Sequence, residues 1–513
     1  MSEQQEDILF LNPLRRPGAE RGEKDGSASE SVWSMLQTLG RSLDFQTKVY
    51  RNQTSGQRIW VSYIEPMIDI EIAVKNIFPY LLHYHFSTLQ DLCGALPLDE
   101  AYLSSDPNDM KQKLLEGYLL IRLNETDETG LLVKAQKTLE RTLTIPEVEF
   151  SVVGPKESFI ESLETNLYLL RKRIPSDHLT VNMFRVGTLS KTKLAVVYID
   201  GIADPENVQT VSQRIQAVEF DEVIDSSYIV QLISDNRHSL FPQLLDTERP
   251  DRVAAVLAEG KVAILVDGSP HALIGPTTLV EFFSSFEDYF LNWIIASFFR
   301  LIRLFSVAFS ILITPIYVAT LNYHYELIPK DLLGTLITSR KEIPFPPIVE
   351  VLFLELTIEL LCEAGARLPT KVGQTIGIVG GIVIGTASVE AGLTSNVLLI
   401  LVALAALASF TTPVYKMGNT IRLMRFPFLL FAEMWGLLGV AFCFCIVMTH
   451  LLSLTSLGRP FLAPLYPPRW KDWKDALIRL PFTSQAKRPS SLRTPQPIRF
   501  DGKKAKEKRD IDE

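Results

Sequence analysis

Along the first 290 residues, apolar positions recur at two spacings. Met110–Gly117 has helical spacing, YLLIRL (118–123) reads as a strand, and SVVGP (151–155) ends another. In KESFIESLETNLYLLRKR (156–173), Phe159, Leu163, Leu167 and Leu170 fall on one helical stripe, and Pro175 follows the end. KLAVVYIDG (193–201) and VAILVDGSP (262–270) read as buried strands. Between them, 203–218 predicts a helix with Asp204 at the N-cap and Pro205 at its first position. RPDRVAAVLAEGK (249–261) predicts a second helix, ending at Gly260. Strands alternating with helices favour a small layered α/β unit.

From about residue 291 the pattern becomes continuously apolar. Leu304–Leu321 carries no charge over 18 residues, just short of the ~20 that cross a bilayer. Pro315 should kink it, and Arg300 and Arg303 before it can snorkel into headgroups. Val372–Val389 is a second uncharged run. Ala391–Tyr415 is a third, separated from the second by Glu390 and a turn at GLTSN (392–396). Phe426–Leu452, interrupted by Glu433 and Trp435, is a fourth. Gly377, Gly381 and Gly385 recur every fourth residue in the second run and would form a smooth groove for a neighbouring backbone.

The segment 345–364 is different, because Glu355, Glu359 and Glu363 fall within about 80° of one another on a helix whose other faces are apolar. Ionised carboxylates are too costly to face lipid at bilayer depth. Three arrangements satisfy them: an interfacial helix with its acids in water, a helix lining a cation path, or a bundle in which they pair with Arg367, Arg422 or Arg425. Glu390 either caps the turn or faces a path, and Glu433, flanked by apolar residues, needs a partner or a proton. Four spans keep both ends on one side but leave Lys416, Arg422 and Arg425 opposite them. Counting 345–364 as a fifth span reverses that, and the segment reads best as partly embedded or re-entrant.

Charge follows the same division. Residues 1–290 balance at −16, residues 291–458 at +1 and residues 459–513 at +7. A basic tail after an apolar region predicts a cytoplasmic anchor on anionic lipid. Nucleic acid is a poor partner for KKAKEKR (503–509), which interleaves no aromatic residue. The four cysteines have no zinc or disulfide-scaffold spacing, and the seven histidines form no metal-ligand cluster, so no metal and no cofactor are expected. Asp200 and Asp267 end strands beside glycine, as turn residues do. Without a nucleophile elbow or phosphate loop, the chain does not read as an enzyme. The expected organisation is a disordered leader (1–31), two subdomains (32–174 and 175–290), a helical membrane domain (291–457) and a basic cytoplasmic tail (458–513). The fold class is an α+β or α/β soluble N-terminal region followed by an α-helical transmembrane bundle of four spans plus the acid-striped helix.

Five blocks resemble one family. They are VVGPKESFIESLETNLYLLRKRI (152–174), VAILVDGSPHALIGP (262–276), IPFPPIVEVLFLELTIELLCEAGARLP (343–369), VGGIVIGTASVEAGL (379–393) and PVYKMGNTIRLMRFP (413–427). Together they resemble the GerA family of spore germination proteins, over about 35–482. The resemblance implies an A-type subunit of a nutrient germinant receptor in the inner membrane of the spore. It implies a transporter-like B subunit and a lipoprotein C subunit as partners, and assembly into a ring that passes monovalent cations. A stage V sporulation AF-type relative, a non-conducting scaffold, or direct nutrient binding by 175–285 are the alternatives.

Overall fold

The computed structural model describes residues 31–98, 100–138, 146, 149, 153–367, 381, 385–469 and 472–502. The predicted leader, Gly377, most of the second apolar run and the first two residues of SVVGP lie outside them. Residues 153–155 are not a strand.

The N-terminal half holds two five-stranded sheets. Helix α1 (Val32–Leu39) precedes β1 (Phe45–Arg51) and β2 (Arg58–Ile64); α2 (Leu89–Ala95), β3 (Ala101–Ser104), α3 (Pro107–Glu116), β4 (Tyr118–Arg122) and β5 (Gly130–Lys134) follow. After α4 (Leu163–Arg173) come β6 (Leu179–Val186), β7 (Thr192–Ile199), α5 (Pro205–Gln216), α6 (Ser226–Ile233), β8 (Leu245–Thr247), α7 (Pro250–Glu259), β9 (Val262–Val266) and β10 (Ala272–Gly275). The strand orders are β1-β2-β4-β5-β3 and β6-β7-β9-β10-β8. Counted from its own first strand, each sheet has the same order, and all neighbours are antiparallel. In both, a Pro-initiated helix ends on a left-handed glycine, Gly117 or Gly260, that leads into the central strand. The lobes are therefore a structural duplication of an α+β unit. Alternation of strand and helix arises here without a parallel sheet, because short hairpins supply half the connections.

Helix α4 begins at Leu163, not at 156. Ser162 caps it, and the Asp267 carboxylate accepts the Leu163 N–H at 3.2 Å. It is buried nearly all round, where the sequence shows a single apolar stripe, because it lies between the lobes and packs on both. Arg171 on its last turn donates to Asp44 at 2.7 and 2.8 Å and to Ser42 at 2.9 Å, all three residues buried. This pins the helix to the first lobe. In the second lobe, burial alone would raise the Asp225 carboxyl, but the Ser269 and Ser227 hydroxyls and the backbone N–H groups of Ser226 and Ser227 hold it down at about 2. A depressed carboxyl stabilises the fold above its unfolded value of about 4 and loses that contribution as pH falls toward 2. After discounting for solvent screening, Asp225→Asn should remove about 1 kcal/mol at neutral pH and flatten the acid limb of a stability-against-pH curve between pH 4 and 2.

Two helices among the described residues have the length and apolar composition to cross a membrane: α8 (Trp293–Tyr323) and the helical segment Tyr415–Ser453. Between them lie α9 (Lys330–Arg340), α10 (Pro347–Arg367) and α11 (Asn396–Ser409). The expected four spans are not confirmed, since most of the second run lies outside the described residues. Helix α11 has 14 residues, about 21 Å, because Ser395 caps its start and the chain turns at 410–414 before Pro413 has passed. The expected fourth span is not one rod. Gly436 leaves helical geometry at φ 60°, ψ −140°. Phe431 and Phe442 would stand about 16 Å apart along a straight helix, yet their ring centroids are 5.9 Å apart. Met417 and Leu451 share one core cluster. The segment is thus a helical hairpin, with α12 from Tyr415 to Trp435 and α13 from Leu437 to Ser453. A side chain at Gly439 would collide with the Phe431 carbonyl, so the closest approach of the two arms requires glycine there.

Of the predicted tail, KKAKEKR (503–509) and the residues after it lie outside the described residues. Residues 454–499 return to the second lobe as a strap. It starts with a hairpin, β11 (Thr455–Ser456) and β12 (Arg459–Pro460). Asp235 accepts the N–H groups of Leu457 and Gly458 at 3.0 and 2.9 Å. Arg459 donates to Asp204, Glu206 and Asn207 at 2.6–2.9 Å. Arg488 donates to the Ala258 carbonyl and Arg499 to Glu259. These arginines are engaged by protein rather than by headgroups.

Candidate functional site in the helical bundle

Helix α10 starts at Pro347, where proline at the first position needs no N–H partner, and it carries the acid stripe against α8, α11 and α12. Four residues per step place Glu355, Glu359 and Glu363 along one side. Glu355 is sealed. Arg425 of α12 donates to it at 2.5 Å and Thr314 of α8 at 3.2 Å. Arg425 also donates to Ser310 of α8 at 2.9 Å and to the Ala405 carbonyl of α11 at 3.3 Å. One guanidinium therefore joins four helices. Glu355 and Arg425 are 5 % and 3 % exposed, so neither meets water as the molecule stands.

One turn on, Glu359 is 3.4 Å from Arg422 and its side chain is 43 % exposed. Glu363 pairs with Arg367 one turn along the same helix at 2.5 Å, and both are exposed. The stripe grades from sealed to open along a single helix. Glu350, off the stripe, pairs with Arg340 at 2.8 Å and is buried. Glu433 is half-buried near the hairpin tip and accepts from Asn322 at 2.6 Å. Glu390 is exposed at the end of a helical stretch, followed by the turn whose Gly392 has φ 66°. A Cβ added at Gly385 would lie 3.6 Å from Leu399, while none of the described residues comes within 4 Å of a Cβ at Gly381.

Sequence reasoning missed the residues that tie this bundle to the lobes. Arg300 and Arg303 do not snorkel outward. Both bind Asp288, Arg300 at 3.0 Å, and Arg300 also reaches Asp475 of the strap. Arg300 and Asp288 are buried. Lys416 pairs with Asp246 at 2.9 Å, Thr420 donates to the Leu240 carbonyl at 2.7 Å, and His450 bonds Ser239 at 2.9 Å. The loop 239–246 thus holds the base of both hairpin arms. The only available signal was the charge of Arg300, Arg303 and Lys416 beside apolar runs. Asp200 pairs with Arg41, and Asp267 caps α4, so both strand-ending acids have structural partners. No group of three His, Cys, Asp or Glu suited to a metal occurs among the described residues.

A duplicated α+β region packed onto a helical bundle, with one continuous long apolar helix, one apolar hairpin and charged groups paired inside, is the architecture of a membrane-associated protein. The family described as Bacillus/Clostridium GerA spore germination protein matches residues 34–491. The chain belongs to this family. It is 50 % identical to spore germination protein GerQA of Bacillus cereus, over 93 % of this chain and 96 % of that one. It is 47 % identical to GerIA of Bacillus cereus, over 88 % and 68 % respectively. The crystal structure of the N-terminal domain of the A subunit of the Bacillus megaterium germinant receptor GerK3 matches at 26 % identity and a TM-score of 0.35, covering 47 % of this chain and 91 % of that one.

Proposed function

We propose that the chain is the A subunit of a nutrient germinant receptor and forms, as a ring of copies, a cation path gated by partner subunits. The observation that carries this reading is the graded stripe on α10. A sealed Glu355–Arg425 pair lies in line with a half-exposed Glu359 and an exposed Glu363. Acids along a water-filled path attract cations, and arginines across the stripe neutralise them while the path is shut. Opening separates Arg422 from Glu359 and frees that carboxylate. Glu390 and Glu433 are further acids of the path, and the glycines at 377, 381 and 385 face a neighbouring copy. The partners are the transporter-like B subunit, which binds the nutrient, and the lipoprotein C subunit, in the inner membrane of the spore. Nutrient shifts the closed-to-open balance only through contacts that differ between the two states.

The strap closes on the same lobe that precedes α8, which supports a topology with an even number of crossings between residues 293 and 453. We place both ends in the cytoplasm, in line with the positive charge balance of residues 459–513. The family expectation of lipid-facing surface fits the row of exposed apolar residues on α8, from Ile294 to Phe305.

Because Glu355 is bound to Arg425, its loss confounds conduction with folding. Glu359→Gln is the cleaner test. In liposomes holding the assembled A, B and C subunits, nutrient-triggered potassium efflux should fall several-fold with assembly unchanged. Unchanged efflux from assembled E359Q receptors would remove the stripe from the path. The second reading, a scaffold, is favoured by one fact: each stripe acid already has an arginine. Absence of flux under every combination of subunits would establish it.

A further inference from the structure

A cavity of about 590 Å³ opens where three separate pieces of chain meet: α7 of the second lobe, the helical turns Leu279–Phe283 and Phe286–Tyr289 that lead into α8, and the strap. Small-molecule sites span about 300–1,000 Å³, and they too are mostly apolar with a few polar groups. Four rings form one side, those of Phe286, Tyr289, Phe290 and Phe482. They are ordered against one another, with centroids 5.6–6.5 Å apart.

The electrostatics select the occupant. Guanidiniums of Arg249, Arg300 and Arg479 already lie 4.6–5.6 Å from the centroids of Phe286, Tyr289 and Phe482. Rings that hold a cation are poor hosts for a second one, which argues against an ammonium ligand. The wall charges are largely spent in pairs: Lys261 on Glu281, Arg499 on Glu259, Arg252 on Glu149 and Asp475 on Arg300. Burial pushes the Glu259 and Asp475 carboxyls upward while Arg499 and Arg300 beside them pull the other way, and burial pushes the Tyr289 phenol up, so that it stays uncharged. An anionic ligand would enter this wall without a free counter-charge, and a cationic one would meet Asp472, which already accepts from Ser490. Of the lining side chains, Arg499 offers the donor left over: its Nε is buried with no hydrogen-bond partner among the described residues.

We propose that this cavity binds a small uncharged molecule with a planar ring and one hydrogen-bond acceptor, the ring stacking on the aromatic side and the acceptor taking Arg499 Nε. Such a ligand touches both the turn before α8 and the strap, so it tightens the joint that Arg300 makes between Asp288 and Asp475. The site does not depend on the channel reading and is separate from the acid stripe.

Benzamide, benzoate and benzamidine share one ring and differ in charge, which makes them the probes of choice. With the full-length protein in detergent, ligand-observed NMR should show saturable benzamide binding, with benzoate and benzamidine at least tenfold weaker. Ala255→Trp on α7 and Ser491→Phe on the strap, which fill the cavity from two separate pieces of chain, should each abolish the benzamide signal while circular dichroism is unchanged. If one of them fails to fold, the other and the three-probe comparison on the unaltered chain still decide. Overturning results are the absence of saturable benzamide binding, equal binding of a charged probe, or benzamide binding that persists in a folded cavity-filling variant.

Discussion

Arg425→Met should cost about 3–5 kcal/mol of stability in detergent, the largest effect of any single charge removal in the bundle. The guanidinium is 3 % exposed and donates to Glu355, Ser310 and the Ala405 carbonyl. Removing it strands a carboxylate that is 5 % exposed, with the Thr314 hydroxyl as its remaining partner. An unpaired buried charge must be desolvated or must bind a proton, and either route weakens the packed state. The double change Arg425→Met with Glu355→Met separates this penalty from any merit of the pair, since apolar replacements of buried ion pairs are often neutral or stabilising. The double variant should recover most of the loss in a thermal-unfolding assay. If it is as unstable as R425M alone, the pair contributes attraction beyond cancelling its own desolvation. If R425M unfolds like the unaltered protein, the four-helix junction is not held by this residue.

Gly439→Val should be as damaging, by a different route. Its Cβ would fall on the Phe431 carbonyl, backbone that cannot rotate away, and Trp435 Cβ lies 3.3 Å off on the same side. The arms of the α12–α13 hairpin must then splay, and splaying withdraws Val440 and Cys443 from the cluster they share with Ala319, Met424 and Phe428. Overpacking alone costs about 1–3 kcal/mol, and loss of the buried contacts adds a similar amount. The check is a cysteine pair placed at Phe431 and Phe442, whose rings touch in the closed hairpin. Disulfide yield should be high with Gly439 and near zero with valine. High yield in both would mean that the hairpin tolerates a side chain there.

These two sites show what could be read in advance. The stripe of Glu355, Glu359 and Glu363 is a matter of helical period, and the arginines that could meet it are few, so the set of partners was legible though the pairing was not. The caps of α5 and α7 were legible because Asp204-Pro205 and Gly260 act within a turn of the chain. The hairpin was hidden because a 39-residue, largely apolar segment looks the same straight or folded, and Gly436 is one of three glycines in it. The duplication of the lobes was hidden because strand order is set by pairings across the chain, not by local pattern. The strap and the sockets of Arg300 and Arg303 were beyond reach for a similar reason. Arg459 meets Asp204, and Arg300 meets Asp475, across long loops of sequence that no periodicity records.

The return of residues 454–499 to the second lobe bears on how the chain is made. A ribosome that has emitted β6 to β10 has supplied every strand of that sheet, yet the seats for Arg459, Arg488 and Arg499 stay vacant until the entire helical region has been made. A chain cut short after residue 453 would keep every strand of the sheet, with Asp204 and Glu259 stripped of their arginines.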